Sequence, residues 1–250
     1  VPFRARTRGT RSLMAFIETE DLAVGFDRHV VVDGITLNVE PGGLVVLMGT
    51  NGSGKSTMLR TLAGLLEPMA GEVKVLRDWP GHHSARVAYL PQHPQSLATL
   101  PLRARDVVAM GRFASQGLFG RTSRADREAV ESAMARMSVT QFRDKPLHAL
   151  SGGQQQRVHL AQILARQADV VLLDEPTAGL DAQGRKAVAR MVQEERDAGH
   201  CVVMATHDLV DAEPADTVLL LAHRLIAQGS PSEVLTDKNL RATYGFTDRH

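Results

Sequence analysis

Apolar residues in this chain gather into short continuous runs set apart by Gly- and Pro-containing turns, with no long stretch of a single character. Leu44-Val45-Val46-Leu47-Met48, Val170-Val171-Leu172-Leu173 and Cys201-Val202-Val203-Met204-Ala205 are unbroken runs of strand length, and residues 217–222 form another. Such runs predict strands buried on both faces, as in parallel sheets covered by helices. The segments between them, 182–198 and 208–213, have helical texture, so strands and helices alternate along the second half of the chain. Residues 16–47 differ: runs at 16–18, 30–32 before Asp33-Gly34, and 35–39 before Pro41-Gly42-Gly43 predict a small antiparallel β region. Residues 72–76 and 86–90 add strands. From 94 to 149 strand patterns give way to helical spacing at 105–112 and 124–137, with Ser123 ahead of Asp126 and Arg127 as a helix start. The expected organisation is a core of residues 14–93 and 150–250 carrying a helical insertion at 94–149.

Composition narrows the class without naming a function. With 43% apolar and 23% charged residues the chain reads as an ordinary soluble globular protein. The formal charge is +1, and four positive charges come from Arg4, Arg6, Arg8 and Arg11. The remaining body is slightly acidic and poorly suited to nucleic acid. Residues 1–13 are expected to be a disordered basic tail without function, since Met14 opens the first strand-like stretch. No apolar run reaches the roughly 18 residues of a membrane span, and the start lacks the apolar region of a signal peptide, so a cytosolic protein is expected. Cys201, the one cysteine, lies in an apolar run and reads as an inert core thiol. His82 and His83, with His93, lack ligand spacing and read as a solvated loop.

Candidate chemistry begins at Gly49-Thr50-Asn51-Gly52-Ser53-Gly54-Lys55-Ser56-Thr57, which fits the pattern G-x-x-x-x-G-K-[ST] between a predicted strand and a helix at 58–63 closed by Gly64. Glycines let successive N–H groups turn onto one anion, and the following helix adds its positive dipole end. Lys55 supplies a point charge for the β and γ phosphates of a nucleoside triphosphate, and the Ser56 hydroxyl is placed for Mg²⁺. The strand through 169–173 ends in Asp174-Glu175. Side chains alternate along a strand, so the two carboxylates face differently. Asp174 is assigned to Mg²⁺, through water, and Glu175 to the attacking water as general base.

Leu150-Ser151-Gly152-Gly153-Gln154 precedes a helical run at 157–165. Ser151 and Gln154 fit a capping box, and the two glycines clear the helix start so that its N–H groups could meet a phosphate from outside. A chain with two anion-binding helix starts could sandwich one nucleotide between two copies of itself.

Together these motifs resemble the ATP-binding subunit of an ABC transporter, over residues 16–245. The resemblance implies an α/β phosphate-loop NTPase with a mostly parallel sheet, an antiparallel β subdomain and an inserted helical subdomain. It makes 49–56 the Walker A loop, 170–175 the Walker B strand and 150–154 the signature. Gln92 falls at the Q-loop, which touches Mg²⁺ and relays to the membrane partner. Gly179-Leu180-Asp181 matches the D-loop, placing Asp181 at the nucleotide interface, and His207 matches the switch histidine on the γ-phosphate. Phe26 stands where the family stacks an aromatic on adenine. Thr50 replaces the Pro of many relatives.

The implied partners are a second copy in a head-to-tail dimer, a polytopic membrane permease and, indirectly, an extracytoplasmic substrate-binding protein, with the chain on the inner face of the cell membrane. The stretch Asp106-Val107-Val108-Ala109-Met110-Gly111-Arg112, followed by Gly117-Leu118-Phe119 and 123–127, is similar to subunits of zinc and manganese importers. Siderophore, haem and cobalamin importers share its Val-Val-x-x-Gly-Arg element. ABC ATPases that act on nucleic acid or the ribosome bring a long coiled coil or a second ATPase half, and neither is present here.

Overall fold

The computed structural model describes residues 15–92, 101–113 and 122–245. The expected tail at 1–13, His93 and Gly117-Leu118-Phe119 lie outside them, as do residues 94–100 and 114–121 of the expected insertion. Strands β1 (Ile17–Phe26), β2 (His29–Val39), β3 (Leu44–Gly49) and helix α1 (Lys55–Leu62) come first, followed by β4 (Ala70–Val75) and β5 (Val87–Leu90). Helices α2 (Ala104–Ala109), α3 (Arg124–Arg136) and α4 (Gly152–Ala165) precede β6 (Val170–Asp174), α5 (Ala182–Asp197), β7 (Cys201–Thr206) and α6 (Leu209–Ala212). The chain continues through β8 (Thr217–Leu221), β9 (Leu225–Gly229), α7 (Pro231–Val234) and α8 (Asp237–Tyr244).

Two sheets result. Six strands run in the order β5-β6-β7-β3-β8-β9, parallel except for β9, which pairs antiparallel with β8. Three more pair antiparallel as β2-β1-β4. Alternation along β3 divides the interior. Leu44, Val46 and Met48 face a core completed by α2 to α5, whereas Val45 and Leu47 face α1 and the antiparallel sheet. Every residue of β3, β6 and β7 is buried, which is why these strands read as unbroken apolar runs. Cys201 lies wholly in this core, and burial pushes its thiol up to about 12. Among the described residues no helix is long and apolar enough to cross a membrane.

Several boundaries differ from the sequence reading. Asp33-Gly34 does not end a strand. Leu22 pairs with Ile35 and Val24 with Val32, so the two residues bulge opposite Ala23 and β2 runs on. The turn between β1 and β2 is instead Asp27-Arg28, both at positive φ. Helix α1 starts at Lys55 rather than Met58, while β9, α7 and α8 went unanticipated.

Helices α2 and α3 pack on α4, and one residue fastens all three. Arg112 Nε donates to Asp126 Oδ1 at 2.9 Å, and its Nη1 donates to the α4 terminal carbonyl of Ala165 (2.9 Å), to Arg166 O (3.2 Å) and to Gln167 Oε1 (2.9 Å). Gly111 makes this approach possible, since a Cβ there would lie 2.2 Å from Gln162 O. Asp126 also accepts the Ser123 N–H (2.9 Å) and hydroxyl (2.7 Å), completing a capping box on α3. The Ser123 backbone bond, then Arg112, hold its carboxyl well below the usual range.

A carboxyl depressed in the folded state stabilises above its unfolded pKa and loses that contribution as pH falls toward the folded value. The melting temperature of Asp126→Asn should therefore lie below wild type at neutral pH, and the gap should close below about pH 4. A gap unchanged in acid would show that the ionised carboxylate is not what holds α3.

Candidate active site

The parallel strands deliver their carboxyl ends to one edge, where ligands of open α/β sheets bind. Gly49 closes β3 at φ 153, and a Cβ there would lie 2.0 Å from Leu221 O, so only glycine passes under β8. Gly54, at φ 103, packs equally close: its Cβ would meet Val32 Cγ2 at 2.6 Å. Between them Thr50, Asn51, Gly52 and Ser53 form the turn, and α1 follows with Lys55, Ser56 and Thr57 in its first turn. Lys55 is buried, and its Nζ donates to the carbonyls of Gly49 (2.7 Å) and Thr50 (3.0 Å). Burial lowers its pKa, against the raising influence of Glu175 and then Asp174. The lysine therefore sits at the helix N-terminus within the field of both carboxylates.

Asp174 ends β6, buried, with Oδ2 3.5 Å from the Tyr89 hydroxyl. Its Oδ1 is buried without a hydrogen-bond partner, as is the Ser53 hydroxyl oxygen. Glu175 leaves the strand at φ 51, a left-handed conformation that costs about 1–3 kcal/mol for a residue with a side chain. Its N–H donates to Ala205 O at 3.0 Å, and its Oε2 meets His207 Nδ1 at 2.7 Å. The Glu175 side chain is only 6% exposed and that of His207 is 69% exposed, so the pair reaches from the core to the surface.

The remaining predicted residues are distributed around this edge. Gln92 is exposed, two residues beyond Leu90, which pairs with Leu173. Phe26 is 54% exposed at the β1 tip, so it is no core residue. Ser151 and Gln154 make the capping box: Ser151 N donates to Gln154 Oε1 at 3.0 Å and Gln154 N to Ser151 Oγ at 3.4 Å. Gly152 faces open space, and a Cβ on Gly153 would come 3.2 Å from Gly179 O. The start of α4 thus touches residues 179–180. Asp181 caps α5, its Oδ1 accepting the Gly184 N–H at 2.7 Å. His82 and His83 both approach Asp78, at 3.0 and 3.6 Å. No group of three or more His, Cys, Asp or Glu among the described residues could hold a metal.

A few neighbours escaped the sequence reading. Tyr89 is one, and Tyr244 of α8 is another: burial and then the Glu175 charge raise its pKa, opposed by a hydrogen bond from the Gly49 backbone. Beside β5 a groove of about 320 Å³ opens between the sheet edge and the helices, lined by Pro91, Val107, Met110, His159, Gln162 and Arg166 among others. Burial lowers the pKa of His159 despite its contact with Gln162.

The donors that Ser56, Gln92 and Asp174 would offer are all oxygens, which suits a hard divalent cation, and Oδ1 of Asp174, buried without a hydrogen-bond partner, leaves an acceptor for Mg²⁺ or its water.

Comparison with known proteins identifies the family. A family model described as ABC transporter matches residues 32–178. The chain is 36% identical over 230 residues to the manganese transport system ATP-binding protein MntB of Bacillus subtilis, covering 92% of each. It is 33% identical over 243 residues to the ferric enterobactin transport ATP-binding protein FepC of Escherichia coli, covering 93% of this chain and 88% of that one. Among solved structures, an inward-facing metal-chelate type ABC transporter superposes with a TM-score of 0.80 at 25% identity, over 92% of this chain and 89% of that one.

Proposed function

This chain belongs to the ABC transporter family of ATP-binding proteins, and we propose that it powers uptake of a divalent metal ion, manganese foremost, by hydrolysing ATP between two copies of itself. The observation that carries the hydrolytic role is the Glu175–His207 contact of 2.7 Å beside the loop that holds Lys55. The N–H groups of 50–54 and the start of α1 receive the phosphates, Lys55 places its charge on the β and γ groups, and Phe26 offers a face to adenine. Ser56, Asp174 and Gln92 would hold Mg²⁺, which when bound neutralises charge on those phosphates. Glu175 takes the proton from the attacking water while His207 fixes its carboxylate and reaches toward the γ-phosphate.

Gly152 faces open space, and among the described residues no hydrogen bond joins 150–154 to 50–57. Both facts support a head-to-tail dimer in which Ser151, Gly152, Gly153 and Gln154 of the second copy close each site, with Asp181 at the same interface. The groove beside Pro91 and Gln92 is where a polytopic permease would dock, with the chain on the inner face of the membrane. An extracytoplasmic binding protein would feed the permease. Closing of the dimer would then move the permease between its access states.

Support for the metal comes from relatives: manganese transport proteins of Bacillus subtilis and of Synechocystis are each 36% identical. Likeness to the ferric enterobactin protein keeps a chelated-iron cargo as the second reading. Uptake of labelled manganese should collapse in cells lacking this chain and return when it is restored. Loss of ferric siderophore uptake with manganese uptake intact would transfer the assignment to the second reading.

A further inference from the structure

The last cross-strand tie between β6 and β7 is the Glu175 N–H bond to Ala205 O, and beyond it the ladder that could align Glu175 with His207 ends. Two buried threonines lie just there. Thr206 precedes His207, and Thr177 follows Glu175 by two residues. Their hydroxyls donate to one and the same atom, Oδ2 of Asp211 in α6, at 2.9 Å and 3.0 Å. Thr206 Oγ1 also accepts the Asp208 N–H at 3.1 Å, so this hydroxyl grips the backbone on both sides of His207. Asp208 in turn accepts the Val210 N–H at 3.0 Å and Arg185 of α5 at 2.7 Å.

We infer that Asp211 is a positioning residue for hydrolysis, holding the turn after Glu175 and the turn bearing His207 in the one arrangement that brings the two side chains together. Three features argue for it. The two bonds are charge-assisted and made by buried hydroxyls, hence roughly twice as strong as neutral ones. They join the last residue of β7 to the turn after Glu175, beyond the final β6–β7 pair. And the clamp continues outward: Thr177 lies two residues before Gly179, whose carbonyl packs against Gly153, so the same carboxylate links the catalytic pair to the helix start that meets the second copy's nucleotide. Catalysis is sensitive to small displacements of the reacting groups, with about 1 Å costing up to 100-fold.

This inference depends on the reading of Glu175 and His207 as the hydrolytic pair, and a double-mutant cycle on the full chain separates the two. Single-turnover ATP hydrolysis, binding of a fluorescent ATP analogue and thermal melting would be measured for wild type, Asp211→Ala, His207→Ala and the double variant. Asp211→Ala should slow hydrolysis by about 10- to 100-fold with analogue affinity unchanged, and should cost nothing further once His207 is already alanine. The pair Thr177→Val and Thr206→Val, which preserves volume, should reproduce the defect even if Asp211→Ala melts early, and Thr206→Ser should restore the rate. Wild-type rates in the valine variant, or losses that multiply in the double variant while His207→Ala alone is slow, would overturn the role of Asp211. A fast His207→Ala would instead remove the hydrolytic pair, and with it the inference.

Discussion

Glu175→Gln should reduce ATP turnover by two to four orders of magnitude, about the contribution of a positioned general base, and should leave a dimer that holds ATP. The substitution keeps the volume of the side chain and its reach to His207, 2.7 Å away, but an amide cannot accept the proton of the attacking water. Binding draws on Lys55 and the backbone of 50–54, which the change does not touch. Gel filtration with ATP and Mg²⁺ should therefore show the variant at twice the mass of one chain, where wild type returns to the monomer as hydrolysis proceeds. Normal turnover by the variant would remove Glu175 from the role of base.

The second large effect concerns Ser151. Ser151→Arg should abolish hydrolysis while a single chain still binds ATP with wild-type affinity. Ser151 is exposed and, among the described residues, its hydroxyl engages only the capping box with Gln154, so its loss costs the helix about 1 kcal/mol and the chain stays folded. The arginine instead places bulk where the second copy's nucleotide would enter. Mixing Ser151→Arg chains with Lys55→Ala chains supplies the decisive measurement. A dimer of the two has one intact composite site, made from the loop of the first and the helix start of the second, and should recover ATPase activity. Recovery would not occur if each chain used its own Ser151.

How much of this was legible in the sequence follows from the range of the interactions involved. The link between β3 and α1 is legible because its pattern is contiguous, although the helix begins at Lys55 and takes in three residues expected in the loop, and the helix start at Ser123 and the box at Ser151 are legible because capping spans three residues. The bulge at Asp33-Gly34 was misread as a turn, since a turn and a bulge use the same residues and only the partner strand distinguishes them. The partly exposed β9 and the four-residue α7 are too short or too mixed in character for periodicity to register. Arg112 finds its carbonyls 53 and 54 residues away, and Thr177 meets Asp211 34 residues on, distances at which no local pattern operates.

The interior position of Cys201 has a practical corollary. The sequence contains no other cysteine, and this thiol, fully buried and raised to about 12, stays protonated and out of reach of alkylating and oxidising reagents at neutral pH. The protein is thus a natural blank for thiol chemistry. A single cysteine introduced on the surface of α3, or beside Gly152, would be the one site to take a spin label or fluorophore. Closure of the dimer on ATP could then be followed in the otherwise unaltered chain, without first stripping it of reactive groups.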